Sequence, residues 1–257
     1  MPDPSRPAVF VLSFPEAGAE RHRSPREQFS RLPTPLEWSF VMGFGPRAGI
    51  VDDLYDARLN SRWMKRPLAA GEIAVYAGHR KMYEQFLSGD APFGLFLEDD
   101  FAITRLTDFL YLIDHVDQAM ADADMLKLFS YGDKQGRVVK SRTCGPLEIA
   151  KHHRNSAGAV GYVLSRRGAA KLLSQGKFFR QIDEDFKHPW EFGINIWSIT
   201  PNLVVDHSRD LGGSHLEADR LAIKQNHRGV VISMKGNYLT MRRKLLGLYH
   251  ALTEKDV

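Results

Sequence analysis

Hydrophobic and polar residues follow one another along this chain in blocks of strand and helix length. Residues 8–14 (AVFVLSF) form a continuous apolar run of the kind a strand shows when both of its faces are buried. Ser24-Pro25-Arg26-Glu27 has capping-box spacing with proline at the first helical position, so a helix is predicted to begin there and to end at Pro33 and Pro35. Residues 36–42 (LEWSFVM) predict a second strand. Across residues 70–88, Ile73, Tyr76, Ala77, Tyr83, Phe86 and Leu87 recur at helical spacing and give one buried face. Phe93, Leu95, Phe96 and Leu97 make an apolar run too short for an ordinary helix, which predicts a buried strand.

The second half continues the alternation. A helix is predicted within residues 107–120 and a strand over 124–130 (DMLKLFS). Residues 159–164 (AVGYVL) read as a strand, with Ser165 capping a helix that ends near Gly176. Short strand-like runs at 195–200 and 203–206 flank Pro201. A terminal helix is predicted over 239–253, with Leu245, Leu246, Tyr249 and Leu252 on one side and Arg242, Arg243 and Lys244 near its start. No repeat or low-complexity linker interrupts the pattern. The expectation is an α/β fold: one domain with a mixed, mainly parallel sheet flanked by helices.

The strand at residue 93 ends in Glu98-Asp99-Asp100, at the carboxyl edge where open α/β sheets hold their ligands. Three adjacent anions repel one another and are costly to gather without a cation. Continued alternation points Glu98 and Asp100 to one side and Asp99 to the other. Hard oxygen donors in that arrangement suit Mg²⁺ or Mn²⁺ held together with substrate phosphates, and a solvated acidic turn is the alternative.

Composition narrows the classes. The chain of 257 residues has one cysteine, Cys144, which excludes an internal disulfide, leaves no cysteine cluster for zinc and fits a reducing compartment. No apolar run approaches the ~20 residues that span a bilayer, and MPDPSRPAVF lacks the order of a signal peptide, so a cytoplasmic location is expected. Residues 220–257 carry eight Lys or Arg against Glu254 and Asp256, a local +6, so residues 1–219 carry −2 of the total +4. A tail of that kind meets anionic lipid, a phosphorylated glycan or nucleic acid, or is a solvated helix face.

Three further groups carry chemistry. Glu72 and His79 are seven apart, which at about 100° per residue returns them to one helix face. Ile182-Asp183-Glu184-Asp185-Phe186 is a second acidic knot that would supply a general base if it faced the first, or else marks a helix N-terminus. Residues 206–215 (DHSRDLGGSH) are rich in glycine and donors, a composition that cradles phosphates but also occurs in plain loops. His152-His153 reads as a surface doublet. Dinucleotide, P-loop and hydrolase-elbow motifs are missing from the sequence.

In their order along the chain these pieces resemble the family 25 glycosyltransferases, which build lipooligosaccharide and related bacterial glycans. The family's L-x-x-G-E…S-H helix is matched by Leu68-Ala69-Ala70-Gly71-Glu72 and Gly78-His79, and its strand ending E-D-D by Phe96-Leu97-Glu98-Asp99-Asp100. Tyr162, Ser165, Gly168, Ala169 and Leu172 match Y-x-x-S-x-x-G-A-x-x-L, and Gln181-Ile182-Asp183 with Trp190 matches P-V-D and its downstream Trp in part. Departures fall at Gly78, Ala74-Val75, Gln181 and Ser214-His215, where the family has Ser, Gly-Cys, Pro and Ser-Asp.

The resemblance implies a GT-A-like domain over residues 1–215, with residues 216–257 a basic segment whose terminal helix packs on the same domain. It further implies a metal-dependent, inverting transfer from a nucleotide-sugar, with UDP the expected nucleotide, to a surface-glycan or lipid-linked acceptor. On that analogy Glu98, Asp100 and His207 hold Mn²⁺ or Mg²⁺, and Ser13, Arg21, Glu72, His79 and Asp99 surround the donor. Asp183 is the base, with Asp185 beside it. Peripheral attachment to the inner face of an anionic membrane through the basic tail is an extension of this reading, and nucleic acid is not expected as a partner. A metal-dependent phosphohydrolase or nuclease, and a non-catalytic glycan- or membrane-binding relative, are the rival readings.

Overall fold

The computed structural model describes residues 6–45, 53–213, 223 and 230–253. The chain runs β1 (Ala8–Ser13), α1 (Ala19–Ser30), β2 (Trp38–Met42), α2 (Ala57–Trp63), α3 (Ala70–Ser88), β3 (Phe93–Glu98) and β4 (Phe101–Ile103). It continues through α4 (Leu106–Asp114), α5 (Val116–Met120), β5 (Met125–Lys127), β6 (Val138–Cys144), β7 (Leu147–His152) and β8 (Gly161–Ser165). Then come α6 (Arg166–Leu173), α7 (Ile182–Asp185), α8 (Pro189–Phe192), β9 (Ile196–Thr200), β10 (Val204–Asp206) and α9 (Val230–Thr253).

Eight strands form one mixed sheet in the order β2-β1-β3-β8-β5-β9-β7-β6, and β4 pairs with β10 in a separate ribbon. The pairs β1–β2, β1–β3 and β5–β9 are parallel, as crossover connections through helices require. β8 enters antiparallel between β3 and β5, and the β6–β7 hairpin extends the far edge antiparallel to β9.

The apolar run of β1 serves two cores. Val9 and Val11 pack on one side with Phe29 of α1, while Phe10 and Leu12 pack on the other with Ile73, Tyr76 and Phe86 of α3. A strand covered on both faces has no polar positions to spare, which explains its unbroken hydrophobicity. On the α3 side, Phe10, Phe96 and Tyr162 are register neighbours on β1, β3 and β8. Their rings stack at 5.5 Å from each to the next. This aromatic row locks the three strands at the level just below the acidic turn.

Several boundaries differ from the pattern reading. Helix α1 starts at Ala19, so Ser24-Pro25 lies inside it rather than at its N-terminus, and Ser24 is buried. The cause is Arg21, whose ion pairs to the acidic turn fix the preceding turn in helical form. The predicted 107–120 helix breaks at His115, whose ring stacks on Tyr111 and whose backbone leaves helical geometry. The terminal helix begins at Val230, well before residue 239. Its Leu245 and Tyr249 stay 62% and 67% exposed rather than packing on the body. Instead, α9 meets the body through Arg243, 2.8 Å from Glu184, and through Arg242 over the Trp63 ring.

Ser165 caps α6 as expected, its Oγ accepting from the Gly168 amide at 3.0 Å. A Cβ on Gly168 would lie 2.3 Å from the backbone oxygen of Asp124, which already accepts from the Ser165 amide. Gly168→Ala in a free helix would add about 1 kcal/mol of stability. Here it is expected to cost about 1–3 kcal/mol through that overlap. Denaturant unfolding of wild type and variant checks this, and a more stable variant would show that α6 does not press on Asp124.

Candidate active site

The strand order reverses at β1: the chain leaves it for β2 on one side and returns to β3 on the other. At such a switch point two connections diverge and leave a crevice beyond the carboxyl ends of the strands. A cavity of about 360 Å³ occupies that place. Leu12 of β1 and Phe14 just after it, Arg21 from α1, Glu72 from the first turn of α3, Glu98 at the end of β3, and Asp99 and Asp100 beyond it line the cavity. Gly158–Val160, Gln181–Asp183, Asp206 and Ser208 complete the wall.

Each acidic group after β3 is held differently. Ser13 lies next to Asp99 because β1 and β3 are in parallel register, and its hydroxyl donates to Asp99 Oδ2 at 2.6 Å. One guanidinium nitrogen of Arg21 reaches both carboxylates, 2.6 Å from Asp99 Oδ1 and 3.0 Å from Asp100 Oδ2. Asp99 and Asp100 are thus drawn to one cation and do not point apart. The strand ends at Glu98, the chain turns, and alternation stops with it. Arg21 also donates to the Gly213 carbonyl at 3.0 Å, tying the end of the 206–213 segment to the acidic turn.

Glu98 meets His79 Nε2 at 3.2 Å, and His79 Nδ1 meets the Tyr162 hydroxyl at 2.6 Å, which in turn lies 2.6 Å from the Tyr83 hydroxyl. Burial drives the imidazole down to about 3, so it is neutral and carries one proton. An ionised carboxylate only accepts, which puts that proton on Nε2 facing Glu98. Nδ1 then accepts from Tyr162, and Tyr162 accepts from Tyr83. One direction of donation satisfies the whole buried chain and fixes the Glu98 carboxylate.

Glu72 also lines the cavity, but its carboxylate is committed to scaffolding. Arg66 grips both oxygens at 2.7 and 2.8 Å, the Ala69 amide donates at 2.9 Å, and Gln181 donates at 3.1 Å. Burial alone would raise this carboxyl; the donors outweigh it and hold Glu72 at about 2. Gln181 thereby anchors the start of α7 to α3 one residue before Ile182 and two before Asp183.

The second acidic knot divides. Asp183 lines the cavity, whereas Asp185 is buried behind it, accepting from Tyr76 and Arg180. Arg180 also holds Glu191 at 2.7 Å. His207 donates its backbone N–H to the Asp100 carbonyl at 2.8 Å, while its ring lies 2.9 Å from Asp210. The structure therefore brings Arg21, Glu72, Glu98, Asp99, Asp100 and Asp183 around one cavity, with Ser13 behind Asp99 and His79 behind Glu98. It does not bring Asp185 or the His207 ring into that wall. Ser214 and His215 lie outside the described residues.

Pattern reading did not single out Lys127, Tyr83, Tyr162 or Arg66 for roles at this site. Lys127 is fully buried on β5 and donates to the Ser156 and Ala157 carbonyls at 2.7 and 3.0 Å, shaping the segment that becomes the cavity wall at Gly158. Burial pulls its ammonium down to about 7, opposed by the charge of Asp183. A lysine in the middle of the apolar run DMLKLFS was the available signal.

Glu98 and Asp100 are the hard oxygen donors here that could share a divalent cation with a substrate. Asp100 Oδ1 is buried without a hydrogen-bond partner, and burial followed by the charge of Glu98 pushes this carboxyl up to about 7 despite Arg21. Among the described residues no group of three or more His, Cys, Asp or Glu side chains is placed to hold a metal ion. Mg²⁺ and Mn²⁺ sites at nucleotides do not need one, since one or two carboxylates share the ion with phosphate oxygens and water. The Arg21 Nε, also buried and unpartnered, is a donor at the same place.

Residues 8–186 match the model of glycosyltransferase family 25 (LPS biosynthesis protein). Human procollagen galactosyltransferase 2 is 27% identical over 129 residues, 48% of this chain and 20% of that protein, so this chain spans about a fifth of its relative's length. Among solved structures, CMP:2-keto-3-deoxy-manno-octonic acid synthetase complexed with CTP aligns with a TM-score of 0.40 and 12% identity, over 86% of this chain and 99% of that one. HddC from Yersinia pseudotuberculosis aligns over the same shares at 0.34 and 10%. The family match extends from β1 through the acidic turn to the second acidic knot, and on that span the chain belongs to glycosyltransferase family 25.

Proposed function

We propose that this chain transfers a hexose from a UDP-sugar to a hydroxyl of a surface-glycan or lipid-linked acceptor, with inversion and with Mn²⁺ or Mg²⁺ at the donor diphosphate. The observation that carries the reading is the sharing of one cavity by the Glu98–Asp100 turn and Asp183. Glu98 and Asp100 would hold the ion, which when bound neutralises charge developing on the departing diphosphate. Arg21 keeps Asp99 and Asp100 in place and its unpartnered Nε–H would be available to a phosphate oxygen, while His79 orients Glu98. Asp183 would take the proton from the acceptor hydroxyl as it attacks the anomeric carbon, so one displacement transfers the sugar and releases the nucleotide. The relative named a galactosyltransferase makes UDP-galactose the first donor to test.

Peripheral membrane attachment is part of the same proposal. Met234, Tyr238, Met241 and Leu245 follow helical spacing along α9 and are each more than half exposed. Lys235, Arg242 and Lys244 flank them on a tail of local charge +6, a combination that fits an anionic leaflet. Among the described residues no helix is long and apolar enough to cross a membrane.

Four outcomes are expected. Asp100→Asn should abolish the Mn²⁺-dependent part of UDP binding in a thermal-shift titration while the protein stays folded; undiminished Mn²⁺-dependent binding would remove Asp100 from the metal site. Asp183→Asn should lower turnover about 10²–10⁴-fold with donor affinity kept. Asp185→Asn should instead lower stability by about 1–3 kcal/mol, because it weakens a buried network. Turnover crippled by Asp185→Asn at unchanged stability, with Asp183→Asn mild, would reverse these roles. Replacing Met241 and Leu245 by Gln should reduce co-sedimentation with vesicles containing anionic lipid. Attachment fails if wild type does not bind, or binds no better than the variant; concentration-dependent dimerisation lost in the variant would assign the stripe to a second copy.

A further inference from the structure

A second concavity, of about 290 Å³, lies where α9 passes the end of β7 and α8. Five cationic side chains line it (Lys151, Arg154, Lys187, Arg243 and Lys244), together with three histidines, and none of its described lining residues is Asp or Glu. Glu184 pairs with Lys187 and Arg243 but does not line the cavity. Glu184 thus balances two of these cations, and Arg154 and Lys244 are the ones left to favour an anion at the rim.

The remaining lining groups ask for more than a bare anion. Asn155, 5% exposed, has a side-chain oxygen without a partner. His152 Nδ1 donates to the Gly136 carbonyl at 2.8 Å, so in the neutral ring the buried, unpartnered Nε2 is an acceptor. Trp190 adds an apolar ring and a buried, unpartnered indole N–H. Acceptors that seek hydroxyl donors, an aromatic face and a cationic rim together match a sugar carrying a negative charge.

Two chain segments run from one cavity to the other. Asn155 lines the second cavity and Gly158 the first, with the carbonyls of Ser156 and Ala157 between them held by Lys127. Likewise Asp183 lines the first and Lys187 the second, joined by α7 and the turn after it. An acceptor whose hydroxyl reached Asp183 would extend toward this basic hollow.

We propose that the second cavity binds an anionic sugar, one bearing a phosphate or a carboxylate, as part of the acceptor. Its assignment to the acceptor rests on the transferase reading above; the binding of an anionic sugar there does not. Calorimetric titration of the full chain with glucose 6-phosphate, glucuronate, glucose and inorganic phosphate tests it, with UDP titrated in parallel. At least one anionic sugar should bind about tenfold or more tighter than both glucose and inorganic phosphate. Which of the two responds tells phosphate from carboxylate. The double variant Arg154→Ala/Lys244→Ala should weaken that binding about tenfold and leave UDP binding unchanged. Lys244→Glu alone, at an exposed helix position, covers the case in which the double variant is unstable. Equal binding of glucose, or of inorganic phosphate as an anion site only, would overturn the proposal, as would binding that the variants leave intact. Loss of UDP binding by wild type, with anionic-sugar binding retained, would sink the transferase reading and not this one.

Discussion

Charge compensation at the end of β3 is the constraint to which the rest of the site answers. Three consecutive carboxylates leave a buried strand, and β1, α1 and α3 all supply groups that hold them. Ser13 of β1 and Arg21 of α1 hold Asp99, Arg21 alone reaches Asp100, and His79 of α3 supports Glu98. One cation shared between two carboxylates leaves the group under-neutralised, and the partnerless Asp100 oxygen is where that deficit shows. The helices packed on opposite faces of β1 are therefore joined through polar contacts at the sheet edge as well as through the two apolar cores.

The same economy separates groups that look alike in sequence. Asp183 and Asp185 are two residues apart in a short helix, so they project in different directions. One borders the cavity; the other completes a buried network with Tyr76, Arg180 and Glu191. Glu72 and Glu98 likewise both reach the cavity wall, but Glu72 is saturated by Arg66, Ala69 and Gln181. Saturation marks scaffolding, and a carboxylate oxygen left over marks a place for ligand.

Much of this was legible in the chain itself. The bounds of α3 coincide with the periodic segment 70–88, because an amphipathic helix over a sheet repeats its buried face without interruption. The apolar β1 and β3 runs and the capping Ser165 were readable for similarly local reasons. The β6–β7 hairpin was not assigned, although Gly145-Pro146 forms its two-residue turn with Gly145 at φ +54°. Most of β6 is exposed at the sheet edge, so it shows no hydrophobic pattern to read. The roles of Arg66 and Arg180 were not readable although Glu72 and Asp185 lie only six and five residues away, because a lone Arg in a sequence looks like surface.

Gln181 shows how a departure from a family pattern acquires meaning only through contacts. The resemblance places a proline there, which would fix the backbone before the acidic knot by its ring. Glutamine cannot do that. Its amide donates instead to Glu72, whose other donors are Arg66 and the Ala69 amide at the N-terminus of α3. The start of α7 is thus tied to the first turn of α3 by a side chain rather than by a rigid imide. Because α3 also carries His79, which orients Glu98, a single helix positions groups on both acidic segments.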